Sequence, residues 1–96
     1  MFNFNLTDEL KAIIEKLAKK DKKRAEIINK KIKQIIGSDS ISIGHYKNLK
    51  HDLKEFKRVH IDSSFVLVFK VDIKNNFILF VDFDHHDKIY KKRYNF

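Results

Sequence analysis

Leu10, Ile13, Ile14, Leu17 and Ala18 recur at three- and four-residue spacing, which predicts an amphipathic helix. Thr7 stands where its N-cap belongs, and Asp8 and Glu9 suit the positive end of its dipole. The run Lys19-Lys20-Asp21-Lys22-Lys23 has no apolar residue, so a turn is expected there, with Asp21 capping the next element. Ala25, Ile28, Ile32, Ile35 and Ile36 form a second apolar stripe, and Gly37 follows where a helix C-cap belongs. Residues 7–36 therefore read as a helical hairpin, with one long helix as the alternative. Before it, Phe2 and Phe4 alternate with Asn3 and Asn5, the period of a short opening strand.

After residue 55 the period becomes two. Phe56–Ile61 alternates, with Val59 and Ile61 on one face and Arg58 and His60 on the other. Asp62-Ser63-Ser64 reads as a turn, Phe65–Ile73 as a central strand, Lys74-Asn75-Asn76 as a second turn and Phe77–Phe83 as a third strand. Residues 38–55 are polar and irregular, with Tyr46, Leu49 and Leu53 as anchors. His85–Phe96 reads as a polar, basic and aromatic tail. The expected fold is a single α+β domain over 1–96, an N-terminal strand and helical hairpin packed on an antiparallel β-sheet. If Phe65, Leu67 and Phe69 face the helices, then Val66, Val68, Lys70 and Asp72 lie on the other, open face, beside Arg58 and His60.

Composition narrows what that face can do. Among 96 residues there is no Cys and no Pro, and only two Gly, which excludes a disulfide scaffold, a thiolate metal site and a glycine-rich phosphate loop. No apolar run approaches the ~20 residues of a membrane span, and the N-terminus carries acids where a leader would carry bases, so a cytoplasmic protein is expected. Twenty-one Lys and Arg against thirteen Asp and Glu give a net charge of +8, which favours a polyanionic partner. The charge is shared by both halves, ten bases against six acids in 1–43 and eleven against seven in 44–96. All five His fall between residues 45 and 86.

Lys, Arg and His on one face suit RNA cleavage without a metal. That reaction needs proton transfer at the 2′- and 5′-oxygens and cations on the phosphate. The segment Asp82-Phe83-Asp84-His85-His86-Asp87 also contains metal-binding residue types, but adjacent His side chains in extended chain point to opposite sides. No metal and no cofactor is expected.

The segment Tyr46-Lys47-Asn48-Leu49-Lys50-His51-Asp52-Leu53-Lys54, then Lys57–Asp62, then the apolar Phe65–Val71, resembles the RelE/ParE superfamily of toxin–antitoxin toxins. It is most similar to its YoeB and YafQ branches, as is the ending Asp84–Tyr90. The resemblance implies a RelE-like fold and a toxin acting as an mRNA interferase. That is an endoribonuclease, often working on the ribosome and neutralised by a partner antitoxin. By position it implies catalytic roles for His86 or, by a one-residue slip, His85, together with His60 and Tyr90. It implies RNA phosphate contacts for Lys50, Lys54, Arg58 and Lys70. The sequence departs from the pattern at Val66, where many relatives carry Arg, and at Ser64, where YafQ-like toxins carry Asp. The rival readings are a non-catalytic module binding RNA or an acidic protein, and a ParE-like gyrase inhibitor. The clustered Lys88, Tyr90, Lys91, Lys92, Arg93, Tyr94 and Phe96 suggest an exposed surface that the antitoxin covers.

Overall fold

A computed structural model describes residues 1–50, 53–92 and 94. His51 and Asp52 of the resemblance segment, and Arg93 and Phe96 of the tail cluster, lie outside the described residues. The order is β1 (Asn3–Leu6), α1 (Asp8–Lys20), α2 (Lys22–Ile36), a 3-10 turn (Ser42–His45), β2 (Lys57–His60), β3 (Phe65–Asp72), β4 (Phe77–His85) and α3 (His86–Ile89). No helix among these residues is long and apolar enough to cross a membrane.

The helical hairpin forms where the polar run interrupts the apolar stripes. Thr7 caps α1 by accepting from the Leu10 N–H at 3.2 Å. Its hydroxyl also donates to the Val81 carbonyl at 2.8 Å, which fastens the helix start to β4. Asp21 ends α1 and caps α2, accepting from the Arg24 N–H at 3.1 Å. Gly37 takes the C-cap position of α2, with an ordinary negative φ of −78°.

The sheet order is β1-β4-β3-β2. The meander β2–β3–β4 is antiparallel, whereas β1 pairs parallel with β4, Asn3 opposite Phe77 and Leu6 opposite Phe80. The sheet is therefore mixed at one edge. Parallel pairing needs a long crossover, and the hairpin and meander between the two strands supply it. Leu10, Ile28, Ile32 and Ile35 pack against Leu67, Phe69, Ile78 and Phe80 on one sheet face, which forms the main core.

The opposite face is not open. Val66 and Val68 are fully buried there, under Leu49, Leu53, Phe56 and Ile89, with Tyr90 and Tyr94 at the margin. The described residues of the irregular segment and the tail cover this face as a lid, and burying their apolar side chains contributes about 25 cal/mol for each Å2 of apolar surface removed from water. The expected polar tail thus begins with α3, whose Ile89 is fully buried. A β-bulge in β4 serves this second core. Val68 pairs with Asp82 and Phe69 with Phe80, which leaves Val81 as the extra residue. The bulge shifts the alternation by one, so Val81 and Asp82 both serve the second face and Phe83 returns to the first.

Candidate functional site

Strand register sets one end of the second face. Arg58 lies opposite Val68 and His60 opposite Val66, so both project beside the lid rather than into the main core. Leaving β4, the chain turns into α3, and the His86 N–H donates to the Ser64 carbonyl at 2.8 Å. This brings His86 to His60: their rings are 6.1 Å apart and 16° from parallel. One turn along α3, the Tyr90 ring stands edge-on to His86 at 5.7 Å. His60, His86 and Tyr90, expected from sequence to act together, are brought together with Arg58.

His85 is not with them. Its Nδ1 accepts the Asp87 N–H at 3.3 Å, capping α3, and its ring meets the edge of Phe65 at 5.6 Å. Of the two adjacent imidazoles, His86 alone lies in the cluster, about 42% exposed. The exposed Asp87 carboxylate lies 3.5 Å from His86 Nδ1.

Arg58 Nη1 lies 3.3 Å from His60 Nδ1. A guanidinium can only donate, so His60 Nδ1 accepts and its neutral form carries the proton on Nε2. Arg58 Nε is buried without an acceptor among the described residues. An unmet buried donor costs about 1–3 kcal/mol, which an anion or a water at that point would recover.

The four expected phosphate contacts do not form one cluster. Lys50 and Lys54 are exposed on the lid segment and make no ion pair among the described residues. Lys70 stands four residues along β3 from Val66, about 13 Å from the His60 register by strand rise. It pairs with Glu55 at 3.6 Å and lies 5.9 Å from the Phe56 ring centre. Lys57 is occupied structurally, donating to the Tyr46 carbonyl at 3.0 Å and Asn48 Oδ1 at 2.9 Å.

A latch of ion pairs and hydrogen bonds holds the tail. Asp82, 5% exposed, accepts from Lys92 Nζ at 2.6 Å and from the Tyr94 hydroxyl at 3.0 Å. Lys92 also pairs with Asp84 at 2.8 Å, and the Tyr94 ring lies 5.1 Å from Phe56. Tyr94 is therefore packed rather than displayed for a partner. Burial opposes charge on Lys92, but its hydrogen bonds to Asp82 and Asp84 outweigh this and raise its pKa. Burial likewise pushes Asp84 up, yet the Lys92 contact and the His85 N–H leave it lowered. Burial first, then the Asp82 charge, drive the Tyr94 phenol upward. A lone carboxylate inside the apolar run Phe77–Phe83 was the available signal, because a buried acid needs a partner. No three His, Asp or Glu side chains among the described residues are grouped so as to hold a metal.

No family model matches the chain. It is 52% identical over 93 residues to RelE4 of Methanocaldococcus jannaschii, named as a candidate toxin, covering 97% of this chain and 95% of that protein. Among solved structures, a YoeB/ParE toxin from Agrobacterium tumefaciens superposes with a TM-score of 0.73 at 18% identity, over 88% of this chain and 98% of that one. YafQ from E. coli gives 0.70 at 14%, over 94% and 99%. The RelBE2 toxin–antitoxin complex of Mycobacterium tuberculosis gives 0.61 at 15%, over 88% and 98%. At these identities the superpositions speak for the fold, and the archaeal relative for the family.

Proposed function

Since this chain belongs to the RelE superfamily of toxins of toxin–antitoxin systems, we propose that it is an endoribonuclease that cleaves mRNA by metal-independent acid–base chemistry. It would act in the cytoplasm, on mRNA held by the ribosome. The observation that carries this reading is the packing of His86 against His60, with Arg58 on His60 and Tyr90 on His86. In the reaction the 2′-oxygen bonds to phosphorus, the bond to the 5′-oxygen breaks, and a 2′,3′-cyclic phosphate remains. The 2′-hydroxyl proton passes to solvent water, His86 donates the proton that the 5′-oxygen gains, and Tyr90 holds its ring. His60, with Nδ1 taken by Arg58, serves as an Nε2–H donor to a phosphate oxygen rather than as a base. Arg58 adds positive charge beside it, and Lys50 and Lys54 hold flanking phosphates. The neutralising partner is an acidic antitoxin, in keeping with the RelBE2 complex among the structural neighbours.

The test is cleavage of mRNA, free and on ribosomes, in EDTA. His86→Ala should slow cleavage by about 10²- to 10⁴-fold with RNA affinity nearly unchanged, since a proton donor acts in the transition state. His85→Ala, which removes a helix cap, should lose far less. Full activity in His86→Ala, or a metal-dependent reaction leaving a 5′-phosphate, would overturn the mechanism. Binding without cleavage by the unaltered protein would favour the non-catalytic module instead.

A further inference from the structure

The two helices treat their dipoles differently. α1 begins with Asp8 and Glu9 and ends with Lys19 and Lys20, the favourable arrangement. α2 begins with Lys22, Lys23 and Arg24 and has no acid in its first turn. A cation there opposes the helix's positive end, so each invites another explanation. For Arg24 the structure supplies one. Its guanidinium reaches across the helix–sheet boundary to Asp62, Nη2 to Oδ2 at 3.1 Å, and lies over the Phe65 ring at 4.7 Å. Asp21 is a second, longer partner at 3.6 Å.

Asp62 sits two residues after His60, at the head of the turn into β3. Its other oxygen accepts the N–H groups of Ser64 at 3.0 Å and Phe65 at 3.3 Å. The carbonyl of Ser64 in turn accepts the N–H of His86. One short turn therefore joins the end of the strand bearing His60 to the backbone of His86, and Arg24 braces that turn from the helical layer. Phe65, under the guanidinium, stacks on Phe83 at 5.3 Å and meets His85 edge-on, which fixes the other side of the same junction.

We propose that Arg24 is a positioning residue: through Asp62 and the Ser64 carbonyl it sets the separation and alignment of the His60 and His86 rings, without touching RNA. The inference rests on the proposed ribonuclease reading for its catalytic consequence, but the placement of the two rings stands apart from it. Arg24 and Asp62 are both partly exposed, and such ion pairs add little to global stability. Removing the brace should therefore loosen the site more than the fold.

Two variants test this. Arg24→Met keeps an unbranched side chain over Phe65 and removes the charge. Asp62→Asn keeps an acceptor for the turn N–H groups and removes the partner charge. The ring resonances of His60 and His86 are followed by NMR in the full chain, alongside steady-state cleavage kinetics. Each variant should shift both sets of ring signals and lower kcat by about tenfold or more, since misplacement by 1 Å can cost about 10²-fold. KM should change less than about twofold, and the double variant should be no worse than the poorer single one, as residues in one network are non-additive. Unchanged ring signals in both variants would overturn the proposal. So would a raised KM with kcat intact, which would make Arg24 an RNA contact. If the unaltered protein proves inactive, the ribonuclease reading fails, and the ring signals still decide whether Arg24 positions the pair.

Discussion

Ile89 offers the sharpest test of the second core. It is fully buried, it is the one buried residue of the four-residue helix α3, and it packs with Val66, Val68 and Val81 on the sheet face away from the helices. Ile89→Ala removes three carbons. At about 0.8 kcal/mol per buried methylene, the lost transfer energy is roughly 2.4 kcal/mol. The cavity left behind adds to this, which places the cost at about 3 kcal/mol, inside the usual range of ~2–5 kcal/mol for such truncations. In a domain of this size each kcal/mol lowers Tm by about 4–8 °C, so a drop of about 12–24 °C is expected. Thermal unfolding by circular dichroism measures it. Ile73→Ala, at a side chain 52% exposed, is the control and should stay within about 0.5 kcal/mol. Because α3 also carries His86, the folded fraction of Ile89→Ala should cleave RNA more slowly than its population explains. A Tm drop below about 4 °C would mean that the second face is not a packed core. A large drop with the rate per folded molecule unchanged would mean that Ile89 does not hold His86 in place.

The tail latch predicts a cost of about 1.5–3 kcal/mol for Asp82→Ala, because its carboxylate accepts from the Lys92 ammonium and the Tyr94 hydroxyl; urea unfolding reads it, and a near-zero change would remove the latch. The pKa values of Lys92 and Tyr94 are both raised on folding, from 10.5 and 10.0, so their stabilisation is complete below about pH 10 and is lost as pH rises through the folded values. Asp84 is lowered from 3.8, so its contribution holds above that value and fades as pH falls below it; a stability profile from pH 3 to 12 should be flat in between for this cluster, and Tyr94→Phe should reduce the alkaline loss. With Lys70 engaged by Glu55, three cations remain for RNA at Lys50, Lys54 and Arg58, so log K against log salt should slope about −2 for single-stranded RNA, and Lys54→Ala should flatten it by about 0.7. A slope near zero would remove RNA as the ligand.

Much of this protein was legible in one dimension because its signals are local. The stripes Leu10–Ala18 and Ala25–Ile36, broken at a capping Asp21, specify two helices wherever they pack, and the period-two runs after residue 55 specify a meander. The resemblance around Tyr46–Tyr90 pointed to the stretch of chain in which His60, His86 and Tyr90 come together, and strand alternation alone put Arg58 beside His60. What alternation could not give was anything that depends on which segments meet. The parallel pairing of β1 with β4 joins residues more than seventy positions apart. The bulge at Val81 shifts the phase of β4 and turns Asp82 toward Lys92, a slip with no mark in composition. Which of His85 and His86 meets His60 is decided by the turn from β4 into α3, where one imidazole becomes a cap against Phe65 and its neighbour lies against His60. The face that sequence left open is covered by Leu49, Leu53 and Phe56 together with Ile89, more than thirty positions further along the chain, a meeting over Val66 and Val68 that no local pattern announces. Local periodicity determines the elements; burial of side chains distant in sequence decides which face is covered and which imidazole is left at its rim.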